Sequence, residues 1–69
     1  MKRQIKFRGG AILLSRGVYR PFIEVGAIHR VGDRWGCCEP EKGIFLPLCA
    51  SEREAMEAAA AHYQAKIVL

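Results

Sequence analysis

Long apolar runs are missing from this sequence. The longest span four residues, Ala11–Leu14 among them, against the roughly 20 that a membrane-crossing helix needs. No segment therefore reads as a transmembrane span, and no membrane partner is expected. A cleavable leader is not expected either: Met1-Lys2-Arg3 supplies positive charge, but no apolar stretch of adequate length follows before Arg16. Cysteine is sparse and odd in number, with Cys37, Cys38 and Cys49. Neighbouring cysteines in an extended strand point to opposite faces and pair poorly. Reduced thiols and a cytoplasmic location follow as expectations. Internal repeats, linkers and low-complexity segments are also lacking. What remains is one domain of 69 residues, whose core supplies about 3–5 kcal/mol of net stability. A homodimer would be one way to add buried area. An apolar content of 51% and a mean hydropathy near zero suit an ordered globule.

Paired metal ligands are lacking too. Structural zinc sites bring ligands in pairs about two to four residues apart, on turns that aim both at one ion. Cys37, Cys38, Cys49, His29 and His62 form no such pair, so no metal and no cofactor is expected, and a cysteine of the vicinal pair reads as core filler. For catalysis, Cys49 lies just before a helix start, where the dipole would lower its pKa, but no third orienting group accompanies it. The chain is not expected to be an enzyme. Arg8-Gly9-Gly10 is a glycine turn beside basic residues. No helix follows it, so the amide cradle of a phosphate loop is missing and a hairpin turn explains it.

What the sequence does have is a lopsided charge. Residues 1–36 carry eight basic side chains against Glu24 and Asp33, a net of +6, whereas residues 37–69 carry three against five glutamates, a net of −2. The total of +4 hides a basic front half and an acidic back half. Such asymmetry favours an anionic or mixed-sign partner over a buried catalytic site.

Patterning predicts strands followed by one helix. Over 2–8, Arg3, Ile5 and Phe7 alternate with Lys2, Gln4, Lys6 and Arg8, as in a half-buried strand with a cationic outer face. Gly9-Gly10 supplies a tight hairpin turn. Residues 11–15 form a second strand, apolar on both faces at Ala11–Leu14 and therefore central. After Ser15-Arg16-Gly17 and Pro21, a third strand covers about 22–31, with Gly26 marking a bulge. Gly32-Asp33 turns into a strand over 34–38 that puts Trp35 and Cys37 on one face. Pro40-Glu41-Lys42-Gly43 turns again, and 44–48 forms an edge strand interrupted by Pro47. Ser51-Glu52-Arg53-Glu54 fits a capping box in which Glu54 reaches back to the Ser51 amide. The alanine-rich segment after it predicts a helix over about 52–66, with Met56, Ala59, Ala60, Tyr63 and Ile67 as its apolar stripe. The expected fold is α+β: an antiparallel sheet of four to five strands with the helix packed on one face. Its expected core is Ile5, Phe7, Leu13, Ile23, Val25, Trp35, Phe45, Leu48, Met56, Ala59, Tyr63 and Ile67.

Gly17-Val18-Tyr19-Arg20, Trp35 and the Glu54-Ala55 helix start, over about 17–66, resemble the sheet-plus-helix DNA-binding domains of phage integrase arms and plant ethylene-response factors. Pro21 interrupts the strand that would read bases, and Cys37-Cys38-Glu39 stands where basic residues would be expected. A stand-alone domain with no active site is also similar in kind to phage and plasmid accessory proteins, including anti-restriction and anti-CRISPR proteins. That likeness implies non-catalytic inhibition of a host nucleic-acid-processing complex through a protein or nucleoprotein partner. The alternative is direct duplex DNA binding through the basic sheet face. In either case the expected contact residues are Lys2, Lys6, Arg8, Arg16, Arg30 and Arg34.

Overall fold

The computed structural model describes residues 3–17 and 19–68. Its elements are β1 (Arg3–Arg8), β2 (Ala11–Ser15), β3 (Ile23–Val31), β4 (Arg34–Glu39), β5 (Ile44–Phe45), α1 (Glu52–Tyr63) and β6 (Ala65–Ile67), with a 3-10 turn at Pro40–Lys42. The sheet order is β5-β4-β3-β2-β1-β6. The α+β class with a single helix matches expectation. The sheet differs from it: six strands rather than four or five, and mixed rather than antiparallel, because β6 runs parallel to β1.

That extra strand comes from residues expected to finish the helix. Ser51 caps the start as predicted, its hydroxyl accepting from the Glu54 amide at 3.2 Å. The Glu54 carboxylate reaches one residue further back than expected, to the Ala50 amide at 3.3 Å. The far end stops earlier. Gln64 adopts the left-handed conformation, φ 52 and ψ 48, and its amide bonds the Ala60 and Ala61 carbonyls. Arg3 Nη1 donates to the Tyr63 carbonyl at 3.3 Å, and Ala65, Lys66 and Ile67 then pair with Arg3, Gln4 and Ile5. Helix propensity at Ala65 is worth a few tenths of a kcal/mol. The unpaired outer edge of β1 offers backbone hydrogen bonds and a core position for Ile67, and it wins.

Gly9 and Gly10 take positive φ (56 and 84), as the two-residue turn requires. β2 is interior, as its two apolar faces suggested. The bulge lies beside Gly26: Ile12 pairs with Gly26 but Leu13 with Glu24, so Val25 is the additional residue on β3. Glycine at 26 is needed for space, since a Cβ there would collide with the Cys38 carbonyl on β4. β5 holds only two residues, yet the chain follows β4 further through Leu46 N–H to the Cys37 carbonyl and a bridge between Trp35 and Cys49.

The register sorts side chains onto two faces, because directly paired residues point the same way. The helix side carries Ile5 and Phe7 of β1, Ile12 and Leu14 of β2, Cys37 of β4 and Ile67 of β6. Ile5, Ile12 and Cys37 pack there against Ala55, Ala59 and Ala60, all six buried. Phe7, Val25, Trp35, Tyr63 and Ile67 surround them as expected. Five expectations change. Leu13 sits on the other face, Ile23, Phe45 and Leu48 are exposed, at 62%, 68% and 43%, and Met56 is half-buried outside the core cluster. Ile12, Leu14 and Ala60 hold helix-side positions instead. A strand apolar on both faces gives alternation no way to choose between Ile12 and Leu13.

Two variants test the assignment of β2. Ile12→Ala is expected to lower the unfolding free energy by about 2–5 kcal/mol, and Leu13→Ala by about 1 kcal/mol or less, in urea titrations. Equal losses would mean that both faces are buried. Replacing left-handed Gln64 with glycine should add about 0.5–1 kcal/mol.

Candidate binding face of the sheet

Opposite the helix lies a second sheet face with no element of the described residues packed across it. Across the strands it presents Lys66 of β6, Gln4, Lys6 and Arg8 of β1, Ala11 and Leu13 of β2, Glu24, Ala27, His29 and Val31 of β3, Arg34 and Cys38 of β4, and Phe45 of β5. Leu48 joins them beside Gly36, where a Cβ would lie 2.8 Å from Leu48 Cδ2 and 3.2 Å from the His29 ring. The face is divided. β6 and β1 bring Lys66, Lys6 and Arg8, while β3, β5 and the segment after it bring exposed Val31, Phe45 and Leu48, with Arg34 of β4 beside Val31. Glu24 is its one carboxylate between paired strands.

The expected contact residues are scattered over this frame. Lys2 lies outside the described residues. Lys6 and Arg8 do share the open face. Lys6 is half-buried, with Nζ 4.3 Å from the centre of the Phe22 ring, a cation–π contact that holds the ammonium down on the sheet. Arg8 is exposed at the β1–β2 hairpin tip, and Arg34 at the β3–β4 tip. These tips point to the same end of the sheet, since the Gly10 carbonyl accepts from Ile28 N–H at 2.8 Å and β3 continues onward from there. Arg30, however, pairs with Trp35 on the helix side. Its guanidinium carbon lies 5.7 Å from the Trp35 ring centre, and its Nε donates to the Gly32 carbonyl at 2.7 Å. Arg16 belongs to the opposite end and lines a helix-side cleft. A single cationic surface built from all six residues is therefore not what the chain folds into. Of the five that are described, Lys6, Arg8 and Arg34 come to one face, joined by Lys66, which helix propensity had placed elsewhere.

Cys37 and Cys38 point to opposite faces as neighbours in a strand must. Cys37 is buried, with Sγ donating to the Ala55 carbonyl at 3.2 Å, and Cys38 lies on the open face between Ala27 and Phe45. All three cysteines are free. Among the described residues no three His, Cys, Asp or Glu side chains gather as a metal-holding group, and no helix is long and apolar enough to cross a membrane. Burial pushes the Cys37 thiol up to about 11, with the neighbouring thiols Cys49 and Cys38 adding to the rise. Tyr63, whose hydroxyl donates to the buried Glu39 carboxylate, is raised well above the ordinary tyrosine range, first by burial and then by that bond and the charge behind it. No family model matches the sequence, and neither a curated protein nor a solved structure matches it.

These shifts set an alkaline limit on stability. The folded state keeps the Cys37 proton that the unfolded chain releases near pH 9.0. Its contribution is whole below that pH and is lost as pH rises to about 11, in total about 2–3 kcal/mol. Urea unfolding followed from neutral to alkaline pH should show the decline, with a shallower slope in Cys37→Ala. An unchanged slope in that variant would assign the decline elsewhere.

Proposed function

We propose that this chain is a non-catalytic binding protein that docks the helix-free face of its sheet onto an acidic protein surface. Through that contact it inhibits or modulates a nucleic-acid-processing complex, in the manner of small phage and plasmid accessory proteins. The observation that carries this reading is the pairing, on one face, of exposed apolar anchors with cations. Phe45 and Val31 are 68% and 51% exposed, on the same face as Lys6, Arg8, Arg34 and Lys66. Protein interfaces combine exposed apolar groups with charges: the apolar groups supply affinity and the charges supply orientation and encounter rate. Four cations against Glu24 select a partner surface rich in Asp and Glu. A second copy of the chain would be a poor occupant, since it would bring a second excess of positive charge.

Direct duplex binding is the competing reading, and Arg8 and Arg34 at neighbouring hairpin tips favour it. Against it, Arg30 is held on Trp35 on the other side of the sheet, and Phe45 and Leu48 would face phosphates with no charge.

The two readings separate with two variants. Phe45→Ser with Leu48→Ser should remove proteins captured from a nuclease-treated lysate. Lys6→Glu with Arg8→Glu should weaken the same capture and raise its salt sensitivity, while duplex DNA at physiological salt is not shifted by the native protein. A duplex shift that weakens with salt, disappears in the charge-reversed variant and survives in the serine variant would replace the protein partner with nucleic acid.

A further inference from the structure

The helix side of the sheet holds a concave site, at the end away from the hairpin tips. Its volume is about 580 Å³, and it is bounded by Arg3, Arg16, Arg20 and Lys42, with Leu14, Pro21, Ile23 and Val25 as apolar wall and Glu39 and Tyr63 also lining it. Every cation but Lys42 comes from the basic front half of the chain. They reach one place because β1 begins there, and the β2–β3 connection and the turn after β4 lie at the same end.

The structure of the connection fixes two of these guanidinium-bearing residues. Ser15 is buried, and its hydroxyl oxygen lies 2.6 Å from the Gly17 carbonyl and 2.8 Å from the Arg20 carbonyl while accepting from the Gly17 amide at 3.4 Å. Arg20 N–H closes the turn on the Gly17 carbonyl at 3.1 Å. The backbone on either side of Arg16 and at Arg20 is thereby anchored to the end of β2.

The charges in the cleft are not spent on one another. Four cations face a single carboxylate, Glu39, which is 4% exposed and accepts from the Tyr63 hydroxyl. Among the described residues the one ion pair within 4.0 Å is Arg53–Glu57 on the outer face of α1, so none of the cleft's cations pairs with Glu39. Like charges gathered around a concave site cost free energy unless an anion joins them. Guanidinium groups suit phosphate in particular, because their planar fork offers two parallel donors to its oxygens. Ile23, 62% exposed on the wall, calls for an apolar body as well as a charged head. The volume lies within the roughly 300–1,000 Å³ usual for small-molecule sites.

We infer that this cleft binds a small organic phosphate of nucleotide size: its phosphate held by Arg16, Arg20, Arg3 and Lys42, its flat apolar body against Pro21, Ile23 and Val25. Glu39, already bonded to Tyr63, has a second carboxylate oxygen to accept an N–H from that body. The site is independent of the proposed docking face, which lies on the other side of the sheet.

Amide-resolved NMR titration with AMP, phenyl phosphate, adenosine and inorganic phosphate tests this. AMP and phenyl phosphate should move signals of residues 14–16, 20–25 and 39–42 and leave the open face unmoved, with adenosine and inorganic phosphate each binding more weakly. Arg16→Gln and Arg20→Gln should each weaken AMP by about tenfold. Lys6→Gln on the opposite face should leave it unchanged, and the melting profile of each variant establishes that it folds. No response to millimolar AMP or phenyl phosphate would overturn the assignment. So would inorganic phosphate binding as tightly as AMP, which would leave the apolar wall without a part. An acidic peptide that binds the cleft more tightly than either phosphate ester would overturn it in favour of a protein ligand.

Discussion

The closeness of α1 to the sheet is the constraint on which the rest of this structure depends. The helix presents Ala55, Ala59 and Ala60 to the strands, and side chains that short let its backbone approach until Cys37 Sγ reaches the Ala55 carbonyl. Ile5 and Ile12 then become fully buried. A helix of 12 residues can do this for only one face of a six-stranded sheet. The dry side is small and well closed, and the other side has to manage without a cover. In a chain of this size that leaves an exposed face bearing Phe45, Leu48 and Val31, which a purely structural account does not require.

The same geometry separates the basic residues. In the sequence they form one block, but strands alternate and hairpins reverse, so neighbours in the block part company. Arg30 turns to the helix side to lie over Trp35, whereas Arg34, across the hairpin, faces the open side. Arg8 and Arg16 close opposite ends of the first hairpin. The outcome is two electrostatic regions: cations bordering an apolar open face, and a cleft whose cations gather around one buried carboxylate. Each is proposed to take an anionic ligand, but of different size: a protein surface for the first, a small phosphate ester for the second.

Several elements were legible from local chemistry alone. The alternation of Arg3-Gln4-Ile5-Lys6-Phe7-Arg8, the Gly9-Gly10 turn and the Ser51 cap each carry their cause within a few residues. Other features had no local signal. Whether Ile12 or Leu13 faces the helix depends on the register of β2 with both neighbours. Phe45 reads as core by composition, yet its pairing with Cys38 turns it to the uncovered side. The cleft could not be seen at all: Arg3, Arg20 and Lys42 are far apart in the chain, and Glu39 looked like one acid among several rather than a buried partner of Tyr63.

By itself, then, the sequence determined the period of β1 and β4, the turns at Gly9-Gly10, Gly32-Asp33 and Pro40–Gly43, the start of the helix and the excess of positive charge, because propensity, capping and charge are properties of short segments. The tertiary structure alone decided where the helix ends, that Ala65–Ile67 pair in parallel with β1, which face of the sheet is dry and which cations meet. Those outcomes turn on backbone groups and side chains distant along the chain competing for the same partners, and a difference of a kcal/mol or so between two placements is invisible to any local pattern.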